Sequence, residues 1–158
     1  MANNVAPIPT PFPARTRTAS AVIASIPTTV TSISFSDKLM LTISQSGRLN
    51  HWIHVPLANA SPSVDAPLNQ SSGFDDEGEE RPDASLLPSS HLTATTVLGG
   101  TKPEFEMLGQ TLATTVASAV LMRSPDEGRM VVLGLGLEKA ELGRDGFEGL
   151  VGLCLECL

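Results

Sequence analysis

Cys154 and Cys157 form the sequence Cys-Leu-Glu-Cys, a spacing that could serve metal binding or thiol–disulfide exchange. Tetrahedral zinc needs four ligands, and the chain has no second cysteine pair to complete such a site. Redox-active pairs of this spacing stand at the start of a helix, where the helix dipole stabilises a thiolate, whereas this pair ends a predicted helix. The spacing therefore favours two helix-face residues, with Cys154 buried.

The three histidines form no metal or catalytic pattern. His51 and His54 are three residues apart on a predicted strand, so their side chains point to opposite faces of the sheet, and His91 is remote. The chain has no nucleophile-elbow sequence and no defensible Ser/His/Asp order. We predict no catalytic or metal-binding residue and no enzymatic activity. An enzyme of small-molecule metabolism stays an alternative, and it would need a concave pocket that brings His51, His54 and Glu138 together.

Gly134 and Gly136 flank a leucine in a run that resembles part of a nucleotide-binding loop. The third glycine of a dinucleotide fingerprint is missing, and Lys139 follows without a phosphate-loop pattern. Two small residues on a strand instead allow another backbone to approach closely. We interpret the pair as a packing feature and predict no cofactor.

The net charge of −7 is concentrated in one segment. Residues 58–90 carry seven acids and one base, which leaves ten acids and nine bases for the rest of the chain. Without a basic stripe to displace counterions from phosphates, binding to nucleic acid is disfavoured. The longest apolar run, Met130–Leu137, has eight residues, whereas a bilayer needs about 20, so we expect no membrane span. Two cysteines and the lack of a secretory segment predict a cytoplasmic location, with the nucleus left open.

Composition separates one domain from two other segments. Residues 1–17 are rich in proline and predict a disordered tail. Residues 57–90 combine proline, serine and asparagine with the acidic cluster, and they cannot bury enough apolar surface to offset the entropy of ordering. We therefore predict a disordered acidic insertion at 57–90 within a single domain that covers residues 18–158.

Alternation of apolar and polar residues predicts five strands before the first helix. Leu39, Leu41 and Ile43 alternate with Met40, Thr42 and Ser44, a period of two that sends two side-chain sets to two faces. Glycine at position 47 and the Ser36–Asp37 pair provide turns. The predicted strands cover residues 18–25, 28–35, 38–44, 49–55 and 92–98.

The periodicity then changes to that of a helix. Thr101 and Glu104 predict a capping box at its start. Met130–Leu137 predicts strand six, and Asp145 with Glu148 predicts a second capped helix at the C-terminal end. The apolar stripe of the first helix consists of Phe105, Leu108, Leu112, Val116 and Val120.

The order β-β-β-β-β-α-β-α predicts the α+β class, with a small, largely antiparallel six-stranded sheet and two helices. Two amphipathic helices can cover one face of that sheet. Strand six is apolar toward both faces, and a strand of this kind is usually buried on both sides. A partner protein is the simplest cover for the second face, so we predict dimerisation by sheet packing. The residues assigned to this interface are Met40, Val132, Gly134 and Gly136.

Several local sequences follow one another in the order known from one protein family. Ile26–Val30 precedes Ser34–Ser36 and the alternating strand that leads into Gln45–Arg48, and the Thr96–Gly100 step and the helix from Pro103 come later. The apolar sixth strand and the short C-terminal helix complete the order. This combination resembles the proteasome assembly chaperone 3 family over residues 18–55 and 92–158. The acidic insertion and the proline-rich tail depart from the compact family pattern.

The resemblance implies a non-enzymatic chaperone. Members of the family pair with the related proteasome assembly chaperone 4 by sheet-to-sheet packing, and the pair binds an α-type subunit, notably α5, during assembly of the 20S α-ring. In the absence of that partner, a homodimer is an open alternative. A dimerising α+β adaptor unrelated to the proteasome is the second interpretation of the same fold.

Overall fold

Six strands and two helices make up the residues that the computed structural model describes, which are 14–58 and 92–158. The strands form one sheet in the order β1-β2-β3-β6-β4-β5, antiparallel throughout except for the parallel pair β3 and β6. The elements are β1 (Arg15–Ile23), β2 (Ile26–Ser34), β3 (Lys38–Gln45), β4 (His51–Pro56), β5 (Thr95–Leu98), α1 (Pro103–Arg123), β6 (Met130–Gly136) and α2 (Gly143–Cys157). The α+β class and the order of elements are confirmed.

The first hairpin turns two residues earlier than predicted. Ile23 pairs with Ile26, and the turn consists of Ala24 and Ser25, whose φ angles are +49° and +68°. Two positive φ angles are characteristic of the two-residue turn that matches the twist of the flanking strands. Neither residue is a glycine or an asparagine, so no turn signal marks the position in the sequence.

The boundaries of the two predicted disordered segments need correction. Strand β1 begins at Arg15, so residues 15–17 belong to the sheet and not to the tail. Leu57, which we had assigned to the insertion, is a fully buried core residue. Strand β5 begins at Thr95, although Leu92 before it is also buried. The remaining parts of both predictions, 1–13 and 59–90, lie outside the described residues.

The core lies between the sheet and the two helices. Leu41 and Ile43 of β3 are fully buried, as the alternation predicted. Helix α1 packs over β4, β5 and β6, and α2 packs over β1 and β2 beside it. The apolar stripe predicted for α1 is confirmed at Leu112, Val116 and Val120, and small residues widen it, because Gly109, Ala113 and Ala117 let the helix approach the sheet.

Both predicted capping boxes are wrong. Helix α1 has Lys102 as its N-cap, and no side chain caps it; the Lys102 carbonyl accepts hydrogen bonds from the amides of Phe105 and Glu106, each at 3.1 Å. Helix α2 begins at Gly143, two residues before Asp145, so this acid stands in the first turn instead of at the cap. Glu104 in the first turn of α1 and Asp145 in the first turn of α2 still lie where a helix dipole favours negative charge.

Strand β6 separates two strands that are consecutive in the sequence. It lies between β3 and β4, so that Met40 pairs with Val132 on one side and Trp52 pairs with Gly134 on the other. This arrangement brings the predicted interface residues and the β4 side chains to the middle of the sheet.

Candidate interaction surface

One face of the sheet has no helix over it in the described part of the chain; we call it the open face. Residues directly opposite each other in a sheet share a face, so strand register places Ile33, Met40, Val132 and His54 in one row across β2, β3, β6 and β4. All four are partly exposed, whereas their strand neighbours, such as Leu41 and Ile53, are fully buried under the helices. The open face therefore has an apolar row at its centre, and two of the predicted interface residues, Met40 and Val132, are direct neighbours in it.

Trp52, the single tryptophan of the chain, adds a large aromatic surface to this centre. It pairs with Gly134, and a Cβ built on that glycine would lie 2.8 Å from the indole ring. The ring therefore occupies the space over Gly134 and buries it. Gly134 is thus needed within the chain, to seat Trp52. Sequence reasoning did not assign Trp52 to the surface, although its alternation with His51 and Ile53 already placed it on the opposite face.

Gly136 has a similar internal role. A Cβ at this position would lie 1.6 Å from the carbonyl oxygen of Arg48. The close approach of another backbone, which we predicted for the glycine pair, is therefore made here by the same chain. Gly134 and Gly136 are both buried, so of the four predicted interface residues only Met40 and Val132 present side chains to a partner. Their assignment to an interface stays a prediction.

The outer part of the open face is lined by hydroxyl groups. On β1 and β2, Thr18 bonds to Thr31 at 3.1 Å and Ser20 bonds to Thr29 at 3.0 Å across the strands. These hydroxyls satisfy each other, which lowers the cost of covering them. Lys38, which forms an ion pair with Asp37 at 2.9 Å, is the one charged residue that strand register places on the open face within 14–58 and 92–158. The surface is thus almost uncharged, as interface centres usually are.

A cavity of about 700 Å³ lies at the C-terminal end of β6, and its lining residues include Gln45, His51 and Glu138. It brings two groups of the enzyme alternative to one cavity, but His54 points to the open face. The His51 ring is almost completely buried, with Nε2 3.3 Å from the Thr96 hydroxyl and Nδ1 without a partner among the described residues. Burial lowers the pKa of His51, against a smaller opposing effect of Glu106.

Gln45, a second buried polar residue of the cavity, is engaged in structural hydrogen bonds. The buried Gln45 amide donates to the Thr28 hydroxyl at 3.0 Å, and its oxygen accepts from the Glu138 amide at 2.8 Å. A Cβ at Gly109 would lie 3.0 Å from His51 Nδ1, so this nitrogen faces helix α1. His51 therefore acts as a packing residue between α1 and β5, and the three groups of the enzyme alternative do not converge.

The cysteine pair is buried and inert. Cys154 is fully buried on α2, as predicted, and Cys157 is nearly so. Desolvation, with the nearby Cys157 as the smaller cause, raises the pKa of Cys154 to about 12. A thiol with such a pKa is protonated at neutral pH and is neither a good nucleophile nor a good ligand.

Two further findings concern metals and membranes. In the two described ranges, no three His, Cys, Asp or Glu side chains lie close enough together to hold a metal ion. Neither of the helices described there has the length and apolar character that crossing a bilayer requires.

Comparison with known proteins finds a similar fold but no similar sequence. No protein-family model matches the chain, and no curated protein sequence does. Among solved structures, it is similar to a chain of a crystal structure of a novel chaperone complex for yeast 20S proteasome assembly. The two share 14% identity over 90% of this chain and 96% of that chain, with a TM-score of 0.50. At this identity the similarity establishes a shared fold.

Proposed function

We propose that this chain is a non-enzymatic chaperone of 20S proteasome assembly that works as one member of a protein pair. The observation that carries the proposal is the apolar, nearly uncharged centre of the open face, formed by Ile33, Met40, Trp52 and Val132 on the side of the sheet opposite the helices. Exposed apolar centres with a polar surround are typical of surfaces that bind other proteins. The solved structure with a similar fold is itself a chaperone complex.

The partner we propose is a related chain of the proteasome assembly chaperone 4 type. Two sheets that pack face to face lie about 10 Å apart and bury the side chains of both inner faces. Met40 and Val132 are positioned to interdigitate with such a face. Self-pairing is the expected state when the partner is absent. The client of the pair would be an α-type subunit, of the α5 kind, met in the cytoplasm or in the nucleus.

The lack of convergent chemistry supports a role without catalysis. His51 and His54 lie on opposite faces of the sheet, and Gln45 in the His51 cavity is hydrogen-bonded to Thr28 and to the Glu138 backbone. The buried cysteines add no nucleophile.

The test compares two lysine substitutions in the full chain. Met40→Lys places a charge at the centre of the open face, and Met122→Lys places the same charge on the helix layer, where the side chain is 65% exposed. We expect wild type and Met122→Lys to pair with a chaperone 4-type chain and to co-purify with α-type subunits, whereas Met40→Lys loses both. The measurements are size-exclusion chromatography with light scattering and quantitative mass spectrometry of native purifications.

Two outcomes would contradict the proposal. Pairing that survives Met40→Lys would show that the open face is not the interface. Pairing that depends on Met40 but brings down no proteasome subunit would favour the adaptor interpretation instead.

A further inference from the structure

A second apolar surface lies on the helix side of the molecule; we call it the helix groove. It is a shallow groove that runs between the first turns of α1 and the segment that leads into α2, with a volume of about 800 Å³. Its apolar lining includes Met107 and Leu108 from α1, Ala140 from the segment before α2, and Phe147 from α2. Leu108 and Phe147 also pack against the core, so the floor of the groove is part of the fixed structure.

Met107 is the residue that the fold does not explain. Its side chain is 70% exposed, whereas the neighbouring Leu108 is partly buried against the core and Gly109 is buried. An exposed methionine is flexible and polarisable, and it adapts to irregular apolar partners. Met122 on the same helix is exposed to a similar degree but does not line the groove. The position of Met107 in a concave apolar surface is what marks it as a contact residue.

The charged groups of the groove are all acidic. Glu104 and Glu141 line it, and no lysine or arginine does within the described residues. Among the residues that the structure describes, neither carboxylate has a hydrogen bond or an ion pair. By contrast, Glu127 is bound to Arg129 at 2.6 Å and Glu148 to Arg144 at 2.7 Å. Both carboxylates also stand near helix N-termini, where the helix dipole favours negative charge.

We infer that the helix groove binds a short amphipathic helix of a partner protein, with large apolar side chains on one face and lysines or arginines at its ends. The apolar face would cover Met107 and Phe147, and the basic ends would pair with the two free carboxylates. This inference is independent of the proposed function. The groove and the open face lie on opposite sides of the sheet, so one chain can hold both partners at once.

The probe is a short helical peptide with leucine and phenylalanine on one face and lysines at both ends. Its matched control carries glutamates in place of the lysines. The chain reports the binding site through its methionine methyl groups in NMR spectra: Met107 lies in the groove, Met122 lies on the same helix outside it, and Met40 and Met130 lie on the open face. We expect the lysine peptide to shift the Met107 signal and to bind at least about tenfold more tightly than the glutamate peptide.

Variants of the full chain separate apolar from ionic contributions. Met107→Lys should lower the affinity for the lysine peptide by about tenfold or more, whereas Met122→Lys should leave it within about twofold, because only the first places a charge in the groove. Glu104→Gln combined with Glu141→Gln should weaken binding by about tenfold and remove most of its salt dependence. All four positions are exposed, so unfolding midpoints near that of wild type are expected and are checked first.

The inference fails if the lysine peptide leaves the Met107 signal unchanged at millimolar concentration, or if the two peptides bind equally. It also fails if Met122→Lys is as damaging as Met107→Lys, or if the peptide shifts Met40 and Met130 instead. Loss of the Met107 shift with intact pairing through the open face would overturn this inference and leave the proposed function standing.

Discussion

The two faces of the sheet are made by the same strands, yet they differ in what covers them. On the helix side, Leu41, Ile53 and Leu133 are buried completely by α1, α2 and each other. On the open side, their immediate neighbours Met40 and Val132 are also apolar but stay partly exposed. Burial by a chain's own helices stabilises the fold, whereas apolar surface left uncovered can stabilise only an association. The comparison thus separates residues that build this domain from residues that would join it to another.

The largest expected effect comes from adjacent residues on the two faces. In the monomer, studied at concentrations too low for self-pairing, Leu41→Ala should lower the free energy of unfolding by about 3 kcal/mol, because it removes buried methyl groups and leaves a cavity. Met40→Ala should lower it by less than about 1 kcal/mol, because the side chain is already partly in water. Urea denaturation of both variants provides the measurement. Equal losses at the two positions would show that the faces do not differ in the way the structure indicates.

A smaller effect is expected where the open face depends on a glycine. Gly134→Val should cost roughly 1–3 kcal/mol, because the new side chain overlaps the position of the Trp52 ring. Since Trp52 is the only tryptophan, displacement of its ring should appear directly as a red shift of the intrinsic fluorescence.

Gly128→Val is the matched control for this substitution. A Cβ at Gly128 meets no atom within 4 Å, so neither stability nor fluorescence should change appreciably. Unaltered tryptophan emission in Gly134→Val would mean that the ring does not rest on the glycine. A loss of pairing caused by Gly134→Val would then report a partner contact in place of an internal one.

Periodicity was sufficient to predict the covered face. The alternation in β3 and the helical stripe of α1 each reflect burial of one side of one element, which a local sequence records. The same alternation showed that β6 is apolar on both sides, and from this the open face was predicted. The turn error and the first of the two cap errors are also local: Ala24 and Ser25 adopt positive φ without a glycine, and Thr101 is left outside the helix that it was expected to cap.

The composition of the open face could not be predicted in the same way. Trp52 covers Gly134 only because β6 enters the sheet between β3 and β4, and this neighbour relation joins segments about 80 residues apart in sequence. Without the strand order, two glycines in β6 were assigned to a partner's approach when the approaching groups belong to the chain itself. Sequence patterns therefore predicted that a surface exists and placed Met40 and Val132 on it, but they did not identify Trp52 as its largest side chain.

The smallest effect expected concerns the two histidines of β4, one on each face. Burial lowers the pKa of His51 on the covered face, so between that lowered value and about 6.5 the unfolded chain binds a proton that the folded chain does not. Stability should therefore fall as the pH drops below about 6.5, with a contribution of at most about 1.4 kcal/mol per pH unit from this group, and it should level off below the folded pKa. The variant His51→Gln should lose this part of the slope in urea titrations between pH 7.5 and 5.5. His54→Gln, on the open face, should retain it, because that variant leaves His51 and its burial unchanged. If the slope is unchanged in His51→Gln, or disappears in His54→Gln, then His51 is not the source of the pH dependence and this prediction is wrong.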